Sequence, residues 1–189
     1  KAIVGARPFT SLADLLERVS LQSKEAAHLI QCGALDGLGE SRAALLAEAE
    51  EILRAGSARQ MAFSFARTSP EPESAAQRLA WETHLLGLPV SVHPLALAAG
   101  QIDHTVPIRR LRESRGQLVS VAGARLPGWT GGKGYFLDDG DDFVIVQGAE
   151  KGALVVGEVV VIDGRYRHDE YGVDWFQATA VRTVAHSLV

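Results

Sequence analysis

The spacing of apolar residues changes once along this chain, near residue 100. Before that point apolar residues recur every three or four positions, a spacing typical of amphipathic helices. After about residue 116 apolar and polar residues alternate with a period of two, which is typical of strands. We therefore predict an α+β chain in which an all-helical region is followed by a small β domain.

Four helices are predicted in the first part, each with an apolar stripe along one side. Three of them open at or next to side chains that cap helices well. Glycine after the third and fourth helices is a common stop signal. The helices begin near Thr10 or Ser11, at Ser23, at about Ser41 and at about Glu73.

The stretch LIQCGALDGLGESRAALL, residues 29–46, joins the second helix to the third through a Gly-Leu-Gly bend. Glycine leaves the backbone free to turn, so main-chain amides near the bend can point at a single anion. We predict a helix-hairpin-helix region that contacts a DNA backbone phosphate, with Arg42 adding a positive charge. The alternative, in which the glycines only turn the chain, stays open. The candidate residues are Gly37, Leu38, Gly39, Ser41 and Arg42.

Five short strands with glycine turns are predicted in the last part of the chain. Asp139-Gly140 marks a tight hairpin between the second and third of them. Closure of such a sheet removes its exposed edges, which favours a barrel. A five-stranded OB-type barrel fits the strand count, and an SH3-like barrel fits it almost as well. The predicted strands cover 117–126, 133–137, 143–147, 158–167 and 173–184.

Composition excludes several classes of function. The net charge of −4 argues against a strong autonomous nucleic-acid binder, so any DNA contact must be local. The single cysteine, Cys32, excludes a disulfide framework and fits a reducing, cytoplasmic location. We expect no signal peptide and no membrane-spanning segment. The histidines show no metal-ligand spacing, and the chain has no nucleotide-binding fingerprint, so no metal, no cofactor and no catalytic residue are expected.

Several runs of this chain resemble, in the right order, the C-terminal region of bacterial family C DNA polymerases. This family comprises the alpha subunit of DNA polymerase III and its error-prone paralogue. The runs are FTSLADLLERV at 9–19, the Gly-Leu-Gly stretch, WETHLLGLPVSVHPLAL at 81–97, and LVSVAGARL with GKGYFLDDGDD in the barrel. The resemblance implies an OB fold and, as partners, primer-template DNA, the sliding clamp and other polymerase or repair subunits.

The chain departs from that family at several points. Val92 stands where the family's connector usually has glycine, and the stretch 148–157 is shorter than usual. Nothing in the chain matches the family's palm, whose carboxylates bind the metal ions for nucleotidyl transfer. We therefore expect no polymerase activity from this chain alone.

The segment between the third and fourth helices has the composition of a linker, with Ser, Thr and two prolines. Within it, a glutamine is followed by apolar side chains in an alternating pattern. This pattern resembles the peptide by which bacterial proteins bind the sliding clamp, and an extended peptide of this type suits a surface groove. Alternatively, its apolar side chains pack against the helices. The candidate clamp-binding residues are Gln60, Met61, Phe63 and Phe65.

The resemblance implies that the barrel contacts single-stranded template, which requires aromatic faces beside cations. The alternative is that the phenylalanines, Phe136, Phe143 and Phe176, fill the barrel and the tyrosines close its ends. The acidic turn with Asp138, Asp139, Asp141 and Asp142 is interpreted as a solvated bend that repels phosphate. The candidate residues for weak single-strand binding are Arg125, Trp129, Lys133, Tyr135, Arg165 and Tyr166.

These observations predict four regions and two alternative functions. The regions are a helix-hairpin-helix region at 1–56, a linker at 57–73, a helical connector at 74–116 and an OB domain at 117–189. The favoured function is a non-catalytic DNA-binding and clamp-tethering region of a family C polymerase. The alternative is a stand-alone adaptor that docks proteins through an acidic OB barrel.

Overall fold

The computed structural model describes residues 2–57, 70–132, 134–148 and 155–184. The chain divides into two compact units, Lys1–Gly87 and Leu88–Val189. The predicted connector, residues 74–116, is divided between them: its helix belongs to the first unit and the rest to the second. None of the helices in the described ranges is both long enough and apolar enough to cross a membrane.

The first unit is helical. Its helices start at polar caps: the Ser11 hydroxyl accepts from Asp14 N at 3.1 Å, and the Glu25 carboxylate accepts from Gln22 N at 2.8 Å. The Ser74 hydroxyl accepts from Gln77 N at 3.1 Å in the same way. The helices are α1 (Ala2–Ala6), α2 (Leu12–Arg18), α3 (Ser23–Gln31), α4 (Arg42–Ser57) and α5 (Ala75–Leu86).

The core of the helical unit is formed by the apolar stripes of α2, α3 and α4. Leu12 and Leu15 from α2, Ile30 from α3 and Leu45 from α4 are almost entirely buried there. Leu35, in the turn between α3 and α4, is part of the same core. The buried Leu35 side chain therefore fixes the turn to the core, because burying a leucine stabilises a fold by about 1.5–3 kcal/mol.

The second unit is built on a closed five-stranded barrel with the strand order β1-β2-β3-β5-β4. All its pairs are antiparallel except β3 with β5, whose parallel pairing closes the barrel. This order is that of the OB-type barrel, so the predicted α+β fold class is confirmed. The strands are β1 (Leu118–Leu126), β2 (Tyr135–Asp138), β3 (Phe143–Gln147), β4 (Val159–His168) and β5 (Asp174–Thr183).

The barrel interior is filled by side chains from all five strands, with Phe176 fully buried. Gly164 on β4 lets this ring lie close, since a Cβ there would sit 2.3 Å from the Gln177 carbonyl oxygen and 2.6 Å from the Phe176 ring. The strand register shifts at this point, between Asp163 and Gly164. A bulge of this type increases the local bend of the strand, which favours closure.

The segment before β1 packs against the barrel. It forms helix α6 (Pro94–Ala98) and two 3-10 helices, Ala99–Gln101 and Ile108–Ser114. Ala98 is buried against the outer face of β1 and β4, next to Ala122 and Val161. Ile108 and Leu111 reach into the barrel core instead.

Candidate nucleic-acid interface

The bend between α3 and α4 is exposed, and its conformation depends on glycine. Gly37 has φ +93°, in the left-handed region that residues with a Cβ avoid. Leu38 points inward and packs against the helical core, and its amide donates to Leu35 O at 3.1 Å. Gly37, Gly39 and Glu40 lie on the outside. The side chain of Leu38 thus holds the bend in place while the flanking backbone faces solvent.

Three amides of this bend are open. Within the described ranges, the N–H groups of Gly37, Gly39 and Glu40 donate to no protein acceptor. They lie just before the 16-residue helix α4, whose N-terminal end carries a partial positive charge. Clustered free amides at such a position attract anions.

The first turn of α4 itself is already occupied. The Ser41 hydroxyl accepts from Ala44 N at 3.1 Å, so this serine is the helix cap and is 9% exposed. The carboxylate of Glu73 accepts from Ala43 N at 2.9 Å. The amides of Ala43 and Ala44 are therefore already bonded, to Glu73 and to Ser41. The prediction that Ser41 belongs to a phosphate site needs correction.

Arg42 also departs from the prediction, because its guanidinium is buried and fully engaged. Only 3% of the residue is exposed. Its Nε and Nη2 donate to the Asp36 carboxylate at 2.9 and 2.8 Å, and its Nη1 donates to Glu82 at 2.8 Å and to Gln31 O at 3.0 Å. The hydrogen bonds that Arg42 donates to Asp36, and then to Glu82, raise the pKa of Arg42. Arg42 is consequently a structural cation and does not offer charge to a phosphate.

The predicted single-strand residues of the barrel fall into different environments. Trp129, in the loop after β1, is 86% exposed and available for stacking. Tyr166 is 5% exposed and belongs to the barrel core, so its assignment as a stacking residue is corrected. Its hydroxyl accepts from Arg112 Nε at 3.3 Å. Arg165 lies half-buried on the outside of β4 and donates to Gly116 O.

Arg125 and Tyr135 form a cation–π contact, with the guanidinium carbon 5.9 Å from the ring centre. Tyr135 is half-buried against the barrel core, and burial raises its pKa to about 12. Its ring therefore faces the core and Arg125 instead of lying open to a base. Lys133 and the predicted clamp-binding residues Gln60, Met61, Phe63 and Phe65 lie outside the described residues.

The outer face of β2 and β3 carries aromatic side chains that sequence reasoning assigned to the interior. Leu137 and Val144 point into the core, so their neighbours Phe136 and Phe143 point outward. The two rings pack edge to face with centres 5.8 Å apart, and Phe143 is exposed. Of the three phenylalanines expected to fill the barrel, only Phe176 does so.

The acidic turn between β2 and β3 is bound within its own unit. Asp139 accepts from Ile108 N at 2.7 Å and from the amides of Asp141 and Asp142. Asp138 lies 3.3 Å from His93 Nε2, and Asp141 lies 3.1 Å from Arg109. These carboxylates fasten the segment before β1 to the barrel. In the described part of the chain, no group of three or more His, Cys, Asp or Glu side chains could hold a metal ion.

Comparison with known families finds a match over residues 1–45 to a family described as a helix-hairpin-helix motif. The matched range includes the exposed bend and ends in the first turn of α4. A motif of this kind indicates DNA binding. A search of curated proteins finds no match for the chain.

The contacts that hold the helix-hairpin-helix motif in place extend beyond residue 45, to α5. Glu82 on α5 binds Arg42, and Glu73, just before α5, binds the start of α4. Burial alone raises the pKa of Glu73, but the hydrogen bonds from Ala43 N and Arg78 outweigh it and hold that pKa below its usual value. Sequence reasoning missed both glutamates. In the sequence, each appears only as an acidic side chain in or next to a predicted helix. Such side chains are usually exposed to solvent.

Proposed function

We propose that this chain is a non-catalytic, DNA-binding region of a bacterial family C DNA polymerase, and that it holds primer-template DNA by its backbone phosphates. The observation that carries the proposal is the set of three open amides at Gly37, Gly39 and Glu40 on an exposed helix-hairpin-helix bend. Main-chain donors contact phosphate without reading bases. The collinear sequence resemblance supports the polymerase context.

The affinity of such a contact is expected to be modest. Arg42 is committed to Asp36 and Glu82, and the exposed Glu40 adds a negative charge beside the open amides. The net charge of the chain is −4. Protein–DNA affinity comes largely from neutralised phosphates, so this region would assist a larger assembly that supplies most of the binding.

The test is a binding measurement with two DNA duplexes of unrelated sequence, each with a primer-template junction, over a series of salt concentrations. We expect equal affinity for both duplexes and a shallow salt dependence, because few phosphates are neutralised. Absence of binding at low salt would overturn the proposal. A preference for one sequence beyond about tenfold would do the same, since specific base readout gives differences of that size or larger.

We also propose that the linker tethers the chain to a sliding clamp. The support is the sequence pattern of Gln60, Met61, Phe63 and Phe65 and its place between the helix-hairpin-helix motif and the barrel. Replacement of Gln60, Phe63 and Phe65 by alanine should abolish retention on immobilised clamp. Ser64→Ala, between two anchor positions, is the matched control and should be retained. Equal retention of both variants would overturn the tether.

The barrel is proposed to contact single-stranded template. Trp129 supplies an exposed ring, and the outer face of β2 and β3 adds Phe143. Stacking contributes about 1–3 kcal/mol per base, so one or two rings give weak binding. The alternative is an adaptor that docks proteins through an acidic OB barrel. It has less support, because Asp138, Asp139 and Asp141 of the acidic turn have partners inside their own unit.

A further inference from the structure

A groove lies on the outer face of the barrel, between the segment that leads into α6 and the end of β1. It has a volume of about 290 Å³ and is formed by residues of the second unit alone. Aliphatic side chains at its mouth are exposed to solvent, with 43% of Leu88 and 67% of Val90 accessible. Apolar side chains exposed together in this way mark sites of interaction. This surface is called the β1 groove, and its apolar lining includes Leu88, Val90, Val92, Leu126, Pro127 and Val156.

The walls of the β1 groove are stiffened by proline. Pro89 and Pro94 come from the segment around the start of α6, and Pro127 follows the end of β1. Proline fixes its own φ, so these stretches have little freedom to collapse into the groove. The helix α6 is also anchored, because Ala98 is buried against the outer face of β1. An incoming group would therefore bind without first ordering the walls, which lowers the cost of binding.

One carboxylate beside the β1 groove keeps its negative charge. Asp138 accepts from Gly140 N at 2.9 Å and lies 3.3 Å from His93 Nε2. The Nδ1 of His93 accepts from Leu95 N at 3.2 Å, so the hydrogen of this ring is on Nε2 and the ring is neutral. Both partners of Asp138 are thus neutral, and its side chain is 21% exposed at the groove.

Arg125 also borders the β1 groove, but its guanidinium is turned away from Asp138. Side chains alternate along a strand, and Ala124 points to the outer face, so Arg125 points to the opposite side. There its guanidinium carbon lies 5.9 Å from the centre of the Tyr135 ring. The turn that follows Asp138 adds the carboxylates of Asp139, Asp141 and Asp142. This end of the groove is therefore negative and attracts a cation.

The size and charge of the β1 groove favour a segment of a protein over a whole small molecule. Ligand pockets usually have volumes of about 300–1,000 Å³, and this groove is at the lower end. Its volume suits one or two anchoring side chains of a larger partner. Apolar anchors in fixed pockets supply most of the affinity at such interfaces. A complementary charge beside them sets orientation and specificity.

We infer that the β1 groove binds a segment of a partner protein in which apolar side chains stand next to a lysine or an arginine. The apolar side chains fill the groove against Val90, Val92 and Leu126, and the cation pairs with Asp138. The inference goes beyond the proposed function and does not rest on it, because these residues are not among those proposed to bind DNA or the clamp.

The first experiment selects peptides on the full chain. A phage-displayed library of random peptides of about 12 residues is panned on the immobilised wild type, with counter-selection on the variant Leu88→Ser with Val90→Ser. Both replaced side chains are exposed, so this double serine variant should keep the fold, and a thermal melt checks it. The enriched peptides should carry apolar residues beside a lysine or an arginine.

The second experiment titrates the best enriched peptide, with a fluorescent label, into wild type and variants. The double serine variant should weaken binding about tenfold or more, because it removes apolar contacts at the anchors. Leu118→Ser with Val173→Ser is the matched control. It removes the same number of exposed aliphatic side chains from parts of the second unit that do not line the groove, and it should bind like the wild type.

The third experiment isolates the charge of Asp138. Asp138→Asn keeps an acceptor for Gly140 N and removes the charge. It should weaken peptide binding about twofold to fivefold at low salt, the range for a partly exposed ion pair. The loss should disappear when the basic residue of the peptide is replaced by glutamine, because the pair is then already broken.

Three results would overturn the inference. No peptide could be enriched on the wild type over the double serine variant, which would show that the groove docks no segment. The enriched peptides could lack a basic residue and bind Asp138→Asn as tightly as the wild type, which would show a groove for apolar groups alone. Sedimentation could show a dimer that the double serine variant loses, which would show that a second copy of the chain covers the groove.

Discussion

Arg42 Nη1 and Glu82 Oε1 lie 2.8 Å apart, and both side chains are almost completely shielded from water. The pair joins the first residue of α4 to the middle of α5, and Asp36 in the bend completes it from the other side. A buried ion pair of this kind contributes little net stability but is costly to break. Here the ion pair, together with Asp36, fixes the position of the exposed bend relative to α4 and α5.

Arg42→Met should destabilise the protein by about 3–5 kcal/mol, because the change breaks the buried ion pair between Arg42 and Glu82. Arg42→Met combined with Glu82→Leu should recover most of that loss, since apolar side chains replace both charges. Urea denaturation followed by circular dichroism measures the free energy of unfolding. A single variant as stable as the wild type would contradict the structural role assigned to Arg42.

Glu40→Gln should tighten binding to primer-template DNA about twofold to fivefold at low salt. The side chain lies at the open amides, and a like charge a few ångströms from a phosphate costs up to about 1 kcal/mol in water. Glu48→Gln removes another exposed charge eight residues further along, on α4, and is the control. Identical binding curves for the two variants would place the phosphate elsewhere.

Asp174→Asn should make the free energy of unfolding less dependent on pH in the acid range. The hydrogen bond from Tyr166, followed by that from His168, lowers the pKa of Asp174 from 3.8 to about 2. A folded-state pKa below the unfolded value stabilises the fold above about pH 4, and this contribution disappears as the pH falls toward 2. The free energies of unfolding of wild type and variant should therefore differ at pH 7 and converge near pH 2.

Asp103→Asn provides the comparison for that pH series, because Asp103 is an exposed aspartate with no hydrogen-bond partner in the described ranges. Its stability should follow the wild type at every pH. If Asp174→Asn and Asp103→Asn gave the same pH profile, the network around Asp174 would have no stabilising role.

Asp139→Ala should destabilise the barrel by about 1–3 kcal/mol, because the amide of Ile108 then loses an acceptor in a partly buried position. Asp142→Ala, in the same turn, removes a carboxylate whose only described partner is the adjacent amide of Phe143. Its effect should stay within about 0.5 kcal/mol. Thermal denaturation of both variants checks the difference, and equal losses would show that the turn is only a solvated bend.

The strands of the barrel could be predicted from the sequence because the patterns that indicate them are local. Alternation and the Asp139-Gly140 turn predicted strands whose ends lie within two residues of those observed, such as 143–147 for Phe143–Gln147. The direction of the side chains was harder. Tyr135 and Phe136 are adjacent and both apolar, so the pattern did not show which of them enters the core.

In the first unit, contacts between residues distant in sequence could not be predicted. The bend was visible in Gly37 and Gly39, but the fate of Arg42 depends on Glu82, forty residues away. A charged residue in the first turn of a helix is normally exposed to solvent, and it becomes buried only through packing against other elements. The short 3-10 helix Ile108–Ser114 was missed for a similar reason, since it has two apolar residues among seven and is held by the barrel.

Phosphate binding at the bend is tested most directly by amide NMR of the ¹⁵N-labelled chain during titration with primer-template DNA. The amide signals of Gly37, Gly39 and Glu40 should shift, whereas those of Ala43 and Ala44, already bonded to Glu73 and Ser41, should not. Shifts at Ala43 and Ala44 without shifts at the bend, or no shift in this region when DNA is bound, would contradict the assignment.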